Sequence, residues 1–224
     1  MRNLEIHADR RLSARVQGAQ LPWTASPVAG VERRMLERIG DEVALATSIV
    51  RYAAGREFHH HTHGLGEEFV VLEGTFSDEH GDYPAGTYVR NPPGSGHTPH
   101  SGEGCVIFVK LRQMPAGETR RVVLRPEERR WTAHEAEGGL SRARLFDGGA
   151  EEVCLERLPP GYHRKGVFRA GGEEMFVLEG AIEMLDTRHT AFGTWGWLRH
   201  PGDFNAGFTA AGGALLWVKR GHLA

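Results

Sequence analysis

Cysteine is scarce: Cys105 and Cys154 are the only two in 224 residues, too few for a disulfide framework and not spaced as a zinc-binding pair. Each reads as a buried thiol on a strand. Long apolar runs are missing too. None approaches the roughly 20 residues a spanning helix needs, and the opening MRNLEIHADRRL lacks the apolar stretch of a secretory signal. Nor is there an excess of one charge, since 27 Lys and Arg face 29 Asp and Glu for a formal net charge of −2. That balance offers no basic footprint for nucleic acid and no polybasic patch for a membrane. The expectation is a cytoplasmic protein with neither kind of partner.

Glycine, by contrast, is abundant at 30 residues, which suits many tight turns. A repeat organises them. GEEFVVLEG (Gly66–Gly74) returns as GEEMFVLEG (Gly172–Gly180), YVRNP (Tyr88–Pro92) as WLRHP (Trp197–Pro201), and GCVIFVKL (Gly104–Leu111) as GALLWVKR (Gly213–Arg220). Upstream, GVERRML (Gly30–Leu36) resembles GLSRARL (Gly139–Leu145). Four blocks in one order indicate a duplicated unit of about a hundred residues, an ordinary domain size. The blocks divide the chain into an N-terminal arm or strand (1–27), a first domain (28–113), a connector (114–138) and a second domain (139–224). Short β-branched or aromatic runs bounded by Gly, Pro, Asn and Asp predict strands nearly throughout, hence an all-β sandwich or barrel. One helix is expected, around Pro126–Glu137.

Thirteen histidines are unevenly spread, and His59, His60, His61 and His63 fall within five residues. His61 and His63 are two apart, so a strand points both to one face. Glu67 follows across the Gly64-Leu65-Gly66 turn, and His97 comes from a separate turn, PPGSGHTPH. Three imidazoles and one carboxylate suit a divalent first-row metal, leaving positions open on a six-coordinate ion. Zn, Fe, Mn and Ni all fit such a donor set. His59 and His100 lie close in sequence and read as rim or surface residues.

Residues 55–74, GREFHHHTHGLGEEFVVLEG, fit the first motif of the cupins, with Gly55, His61, His63, Glu67 and Gly74 in place. Residues 86–101, GTYVRNPPGSGHTPHS, fit the second through Gly86, Pro92, Gly94 and His97, departing only where Ser101 replaces an Asn. The run LEGTFSDEHGDYPAGTYVRNPPGSGH, with GCVIFVKLRQ after it, resembles the ChrR-type cupin, the C-terminal domain of certain anti-sigma factors. The resemblance implies two tandem double-stranded β-helix (jelly-roll) barrels, the first holding one divalent transition metal through His61, His63, Glu67 and His97. Sigma-factor binding is not expected, because the helical zinc-binding domain that performs it has no counterpart in the sequence. Monomer and homodimer both remain open.

In the second half the ligand positions become Val167, Arg169 and about Ala206, with only Glu173 retained. This predicts a degenerate, metal-free barrel in which Arg169 pairs with Glu173. Phe69, Val71 and Phe76 are candidates for pocket lining or for core. Arg90, which recurs as Arg199, suggests a structural ion pair beside Tyr88, and Ser77–Asp82 reads as a solvated hairpin turn. Two functions follow: a module that binds or senses a small ligand at the metal, or an Fe(II)-dependent dioxygenase of a small carbonyl or phenolic compound. No separate general base or nucleophile is marked, so the catalytic residues stay unassigned.

Overall fold

The computed structural model describes residues 4–187, 189–202 and 207–223. The chain is nearly all strand and forms two compact units, one of residues 4–8 and 21–128, the other of residues 9–20 and 129–223.

In the first unit the main sheet runs, in spatial order, Glu5–Ile6, Val31–Ile39, Leu45–Tyr52, Cys105–Leu111, Glu67–Asp78, Tyr88–Asn91 and Val122–Leu124, its neighbours antiparallel. The second unit repeats that order with Trp131–His134, Leu140–Asp147, Glu152–Leu158, Ala214–Arg220, Glu173–Met184, Gly196–His200 and Ala14–Gln17. Registers correspond as well: Glu67 faces Leu111 as Glu173 faces Arg220. The edge strands come from opposite ends of the repeat. Val122–Leu124 closes the first sheet, whereas Ala14–Gln17, from near the N-terminus, closes the second.

Each long central strand carries a bulge, beside Leu72 in the first unit and Leu178 in the second, where one extra residue shifts the register. A bulge reverses the two-residue alternation of a strand. Phe69 and Val71 therefore face the core before it and Phe76 after it, as Met175 and Val177 are followed by Ile182 and Met184. Beyond the bulge each strand pairs with a second small sheet, Arg56–Glu57 with His100–Ser101 and Gly81–Pro84 in the first unit. Gly74 makes the bend. Its φ is +70°, and a Cβ there would overlap the Gly104 carbonyl. Gly180 stands in the same relation to Gly213.

Two expectations need correction. No α-helix forms over Pro126–Glu137; two single 3-10 turns, Pro126–Glu128 and Glu135–Glu137, flank the strand Trp131–His134, which pairs with Leu140–Asp147. The apparent helical pattern comes from Glu-rich turns, and pairing to an available sheet edge decides the conformation. Ser77–Asp82 is a hairpin, but Ser77 and Asp78 are buried, leaving the tip at Glu79–His80 exposed.

Candidate metal centre

His61 begins the two-residue strand His61–Thr62, which pairs antiparallel with Gly96–His97 so that His61 lies directly opposite His97. His63 continues the same segment and is stapled to the facing turn: its N–H donates to the Ser95 carbonyl and its carbonyl accepts from Gly94, both at 2.8 Å. Glu67 opens the long central strand. Together these elements bring one ligand atom from each of His61, His63, Glu67 and His97 within 4.8 Å of one another. It is the only such cluster of His, Cys, Asp or Glu among the described residues.

The three imidazoles meet nearly edge to face, with centroids 4.8–5.0 Å apart and interplanar angles of 72–81°. Three rings so arranged can aim lone pairs at one point. Nε2 of His63 lies 3.4 Å and Nε2 of His97 3.6 Å from Oε2 of Glu67. Both nitrogens are buried without a hydrogen-bond partner. Such orphaned atoms are costly in a finished interior, so they fit a site that takes a cation. Neighbouring acceptors set two tautomers. Nδ1 of His61 donates to the His59 carbonyl at 3.2 Å, and Nδ1 of His97 donates to Asp78 Oδ2 at 3.0 Å, which leaves both Nε2 lone pairs free. Asn91 donates to Glu67 Oε2 at 3.1 Å and fixes that carboxylate.

Burial pushes the His63 imidazole down, with the Glu67 charge opposing, so it favours the neutral, ligating form. Burial acts on His97 in the same direction, but the Asp78 hydrogen bond and the Glu67 charge outweigh it and raise its pKa. Asp78 shows the complement. Burial would lift its carboxyl, yet hydrogen bonds from His97, the His80 N–H and Tyr83 hold it below its ordinary value. Arg121 extends this chain by donating to the Tyr83 hydroxyl at 2.9 Å.

The cluster opens into a cavity of about 470 Å³ whose apolar wall includes Val50, Tyr52, Phe58 and Leu111. Arg33 and Arg112 also line it. His59 and His60 stand at its rim, while His100 faces a separate shallow depression. Phe69, Val71 and Phe76 belong to the core; Phe76 packs 5.7 Å from the His97 ring and lines no part of the cavity. Arg90 is fully buried and pairs with Glu68 at 3.2 Å. Cys105 and Cys154 are buried thiols, pushed up by burial to about 11 and 12.

The second unit treats its carboxylate differently. Glu173 accepts from Arg164 at 2.6 and 3.0 Å and from Arg220 at 2.8 Å. Arg169 does pair with Glu173 as the sequence suggested, but at 3.4 Å, as the longest of three contacts and with its side chain 34% exposed. One of the shorter partners has a simple origin: Arg220 stands on the adjacent strand, where the first unit has Leu111. Arg220 also binds Glu156 at 2.8 Å, and Arg142 binds the same carboxylate at 2.7 Å. The void left at Glu173 is about 10 Å³, room for one water. Val167 is exposed, and the region of Ala206 falls outside the described residues.

Residues 12–115 match the family model of the ChrR Cupin-like domain. No curated protein matches the chain. Solved structures do. A Nostoc punctiforme protein named as a candidate dioxygenase superposes with a TM-score of 0.73 at 16% identity, covering 96% of this chain and 81% of its own. An Escherichia coli pirin in complex with nickel(II) gives a TM-score of 0.64 at 14% identity, with 93% and 98% covered. A cupin 2 conserved barrel domain protein from Leptotrichia buccalis gives 0.61 at 10% identity, with 98% and 99% covered. Identities this low establish the cupin fold and nothing about the reaction.

Proposed function

We propose that the first unit holds one divalent first-row transition metal through His61, His63, Glu67 and His97, and that a small organic ligand binds beside it in the cavity. The second unit is read as a metal-free barrel with a structural role. The observation that carries the metal assignment is the pair of buried, partnerless Nε2 atoms on His63 and His97, aimed at the same carboxylate oxygen. Zn, Fe, Mn and Ni remain equivalent for such nitrogen and oxygen donors, because cellular availability weighs more than ligand type. A bound metal would supply Lewis acidity to a ligand oxygen. The chain's own part is to orient the imidazoles through Asp78 and the His59 carbonyl, to fix Glu67 through Asn91, and to keep one side apolar.

Binding or sensing of a small molecule is the reading this arrangement favours. The cavity has a continuous apolar wall beside the cluster, and the side-chain hydrogen bonds of His61, His97 and Glu67 serve to position these residues. A second reading, an Fe(II)-dependent dioxygenase of a small carbonyl or phenolic compound, draws support from the exposure of His61 on the cavity side and from the Nostoc neighbour.

Metal content of protein purified without oxygen, measured by mass spectrometry, tests the first claim. Wild type should carry close to one metal per chain, and His97→Ala should lose it while keeping its β circular dichroism. Wild type without metal would overturn the proposal. Oxygen uptake by Fe(II)-loaded protein over a panel of diketones and hydroxyaryl ketones separates the two readings, since a binding module raises the melting temperature without consuming O₂.

A further inference from the structure

Arg112 follows the central strand Cys105–Leu111 directly, and its backbone is left-handed, with φ at +59°. A side chain is rarely placed there, because Cβ then crowds the following carbonyl. The repeat makes the position legible. Arg112 donates its N–H to the Gly66 carbonyl at 2.9 Å, and Gly221 does the same to Gly172 at 3.1 Å. Gly221 has φ at +75°, so the second unit fills this conformation with the one residue that tolerates it. Ala150 crowds Gly221 from the side, whereas the first unit has room for a side chain at Arg112.

What the first unit places there is a guanidinium with no internal task. No hydrogen bond or ion pair among the described residues uses the Arg112 side chain. Its Nη1 lies 2.9 Å from where a Cβ on Gly64 would stand, so it packs over the bare peptide between His63 and Glu67. It lines the same cavity as the histidine cluster. The other arginine of that cavity, Arg33, is already engaged by Ser26 and by Glu42 at 3.6 Å. Strained residues are held by the structure around them and cluster at ligand sites.

We propose that Arg112 is the anion-recognition residue of the cavity, and that its ligand is a small carboxylate with an apolar body. The carboxylate pairs with the guanidinium fork, and the body lies against Val50, Tyr52, Phe58 and Leu111. The inference rests on reading the cavity as the ligand chamber. It does not depend on which metal is bound.

The test uses full-length protein and benzoate as the probe, with benzamide as its uncharged counterpart. Wild type should bind benzoate by calorimetry and not benzamide. Arg112→Gly should weaken benzoate at least tenfold with metal content unchanged, and Arg112→Lys should recover part of the loss. A second readout needs neither metal nor probe: metal-free Arg112→Gly should melt higher than wild type, and Arg112→Ala should not, since only glycine relieves the backbone. Equal binding of benzoate by wild type and Arg112→Gly would overturn the proposal, as would equal binding of benzamide. So would wild type that binds metal but no benzoate, or an Arg112→Gly protein that melts lower than wild type, which would make the guanidinium part of the fold. Wild type without metal would instead remove the reading of the site.

Discussion

Asp78, eleven residues along the strand from Glu67, places its Oδ2 3.0 Å from Nδ1 of His97, while its Oδ1 accepts from the Tyr83 hydroxyl at 2.9 Å. A carboxylate behind an imidazole fixes its tautomer and raises its basicity as a ligand. Replacing Asp78 by Ala should weaken metal affinity about 10–100-fold while the barrel stays folded. Competition with a chelator of known affinity measures this. Tyr83→Phe, which leaves the His97–Asp78 bond in place and removes the hydroxyl's bonds to Asp78 and from Arg121, should act in the same direction and less.

The second unit should respond to Glu173 and ignore the metal. Glu173→Gln leaves Arg164 and Arg220 without their shared carboxylate, and breaking a buried pair costs about 3–5 kcal/mol. Arg169→Leu, at the half-exposed third contact, should cost about 0.5 kcal/mol or less. Urea titrations of the two variants decide between them. Equal losses would mean that Arg169 shares the pair fully. Metal content should be wild-type in both.

His200 faces Glu173 across the sheet, and burial pushes its imidazole down from 6.5 to about 4, with Arg15 and Arg164 adding to the effect and Glu173 opposing it. The folded state thus binds a proton less readily than the unfolded chain. The resulting stability is complete above pH 6.5 and is lost as pH falls through 4. At about 1.4 kcal/mol per pH unit the loss across that window is roughly 3–4 kcal/mol. Unfolding free energies at pH 7 and pH 4.5 should differ in this sense for wild type, and less for His200→Asn.

Gly74→Ala should destabilise the first unit by at least about 2 kcal/mol, because the left-handed backbone and the Gly104 carbonyl act together against a Cβ. Thermal melting checks it, and Gly180→Ala should behave alike in the second unit.

Much of this was legible in the residues. The HxH pair, Glu67 and His97 carry their spacing openly, and the repeat aligned Glu67 with Glu173 in the register that the sheets show. Asp78 was not, for a definable reason. Eleven residues from Glu67, simple alternation puts it on the opposite face, and only the bulge beside Leu72 turns it inward. Arg220 escaped notice because its partner, Glu173, lies on a neighbouring strand 47 residues away. Arg112 looks like an ordinary charged residue until its backbone angle is known. The helix expected over Pro126–Glu137 failed because local preference is weak beside a waiting sheet edge.

The edge strand Ala14–Gln17 completes a sheet whose partner strand, Gly196–His200, is made about 180 residues later. On a ribosome adding roughly 5–20 residues each second, those four residues wait on the order of ten seconds or more for their partner. Their early neighbours, Glu5–Ile6 and Thr24–Ala25, can already pair with Val31–Ile39. During synthesis the strand between them has no sheet to join until Gly196–His200 emerges. A fragment ending at the midpoint of the repeat would carry that strand with nothing to join, and one beginning there would lack its last edge.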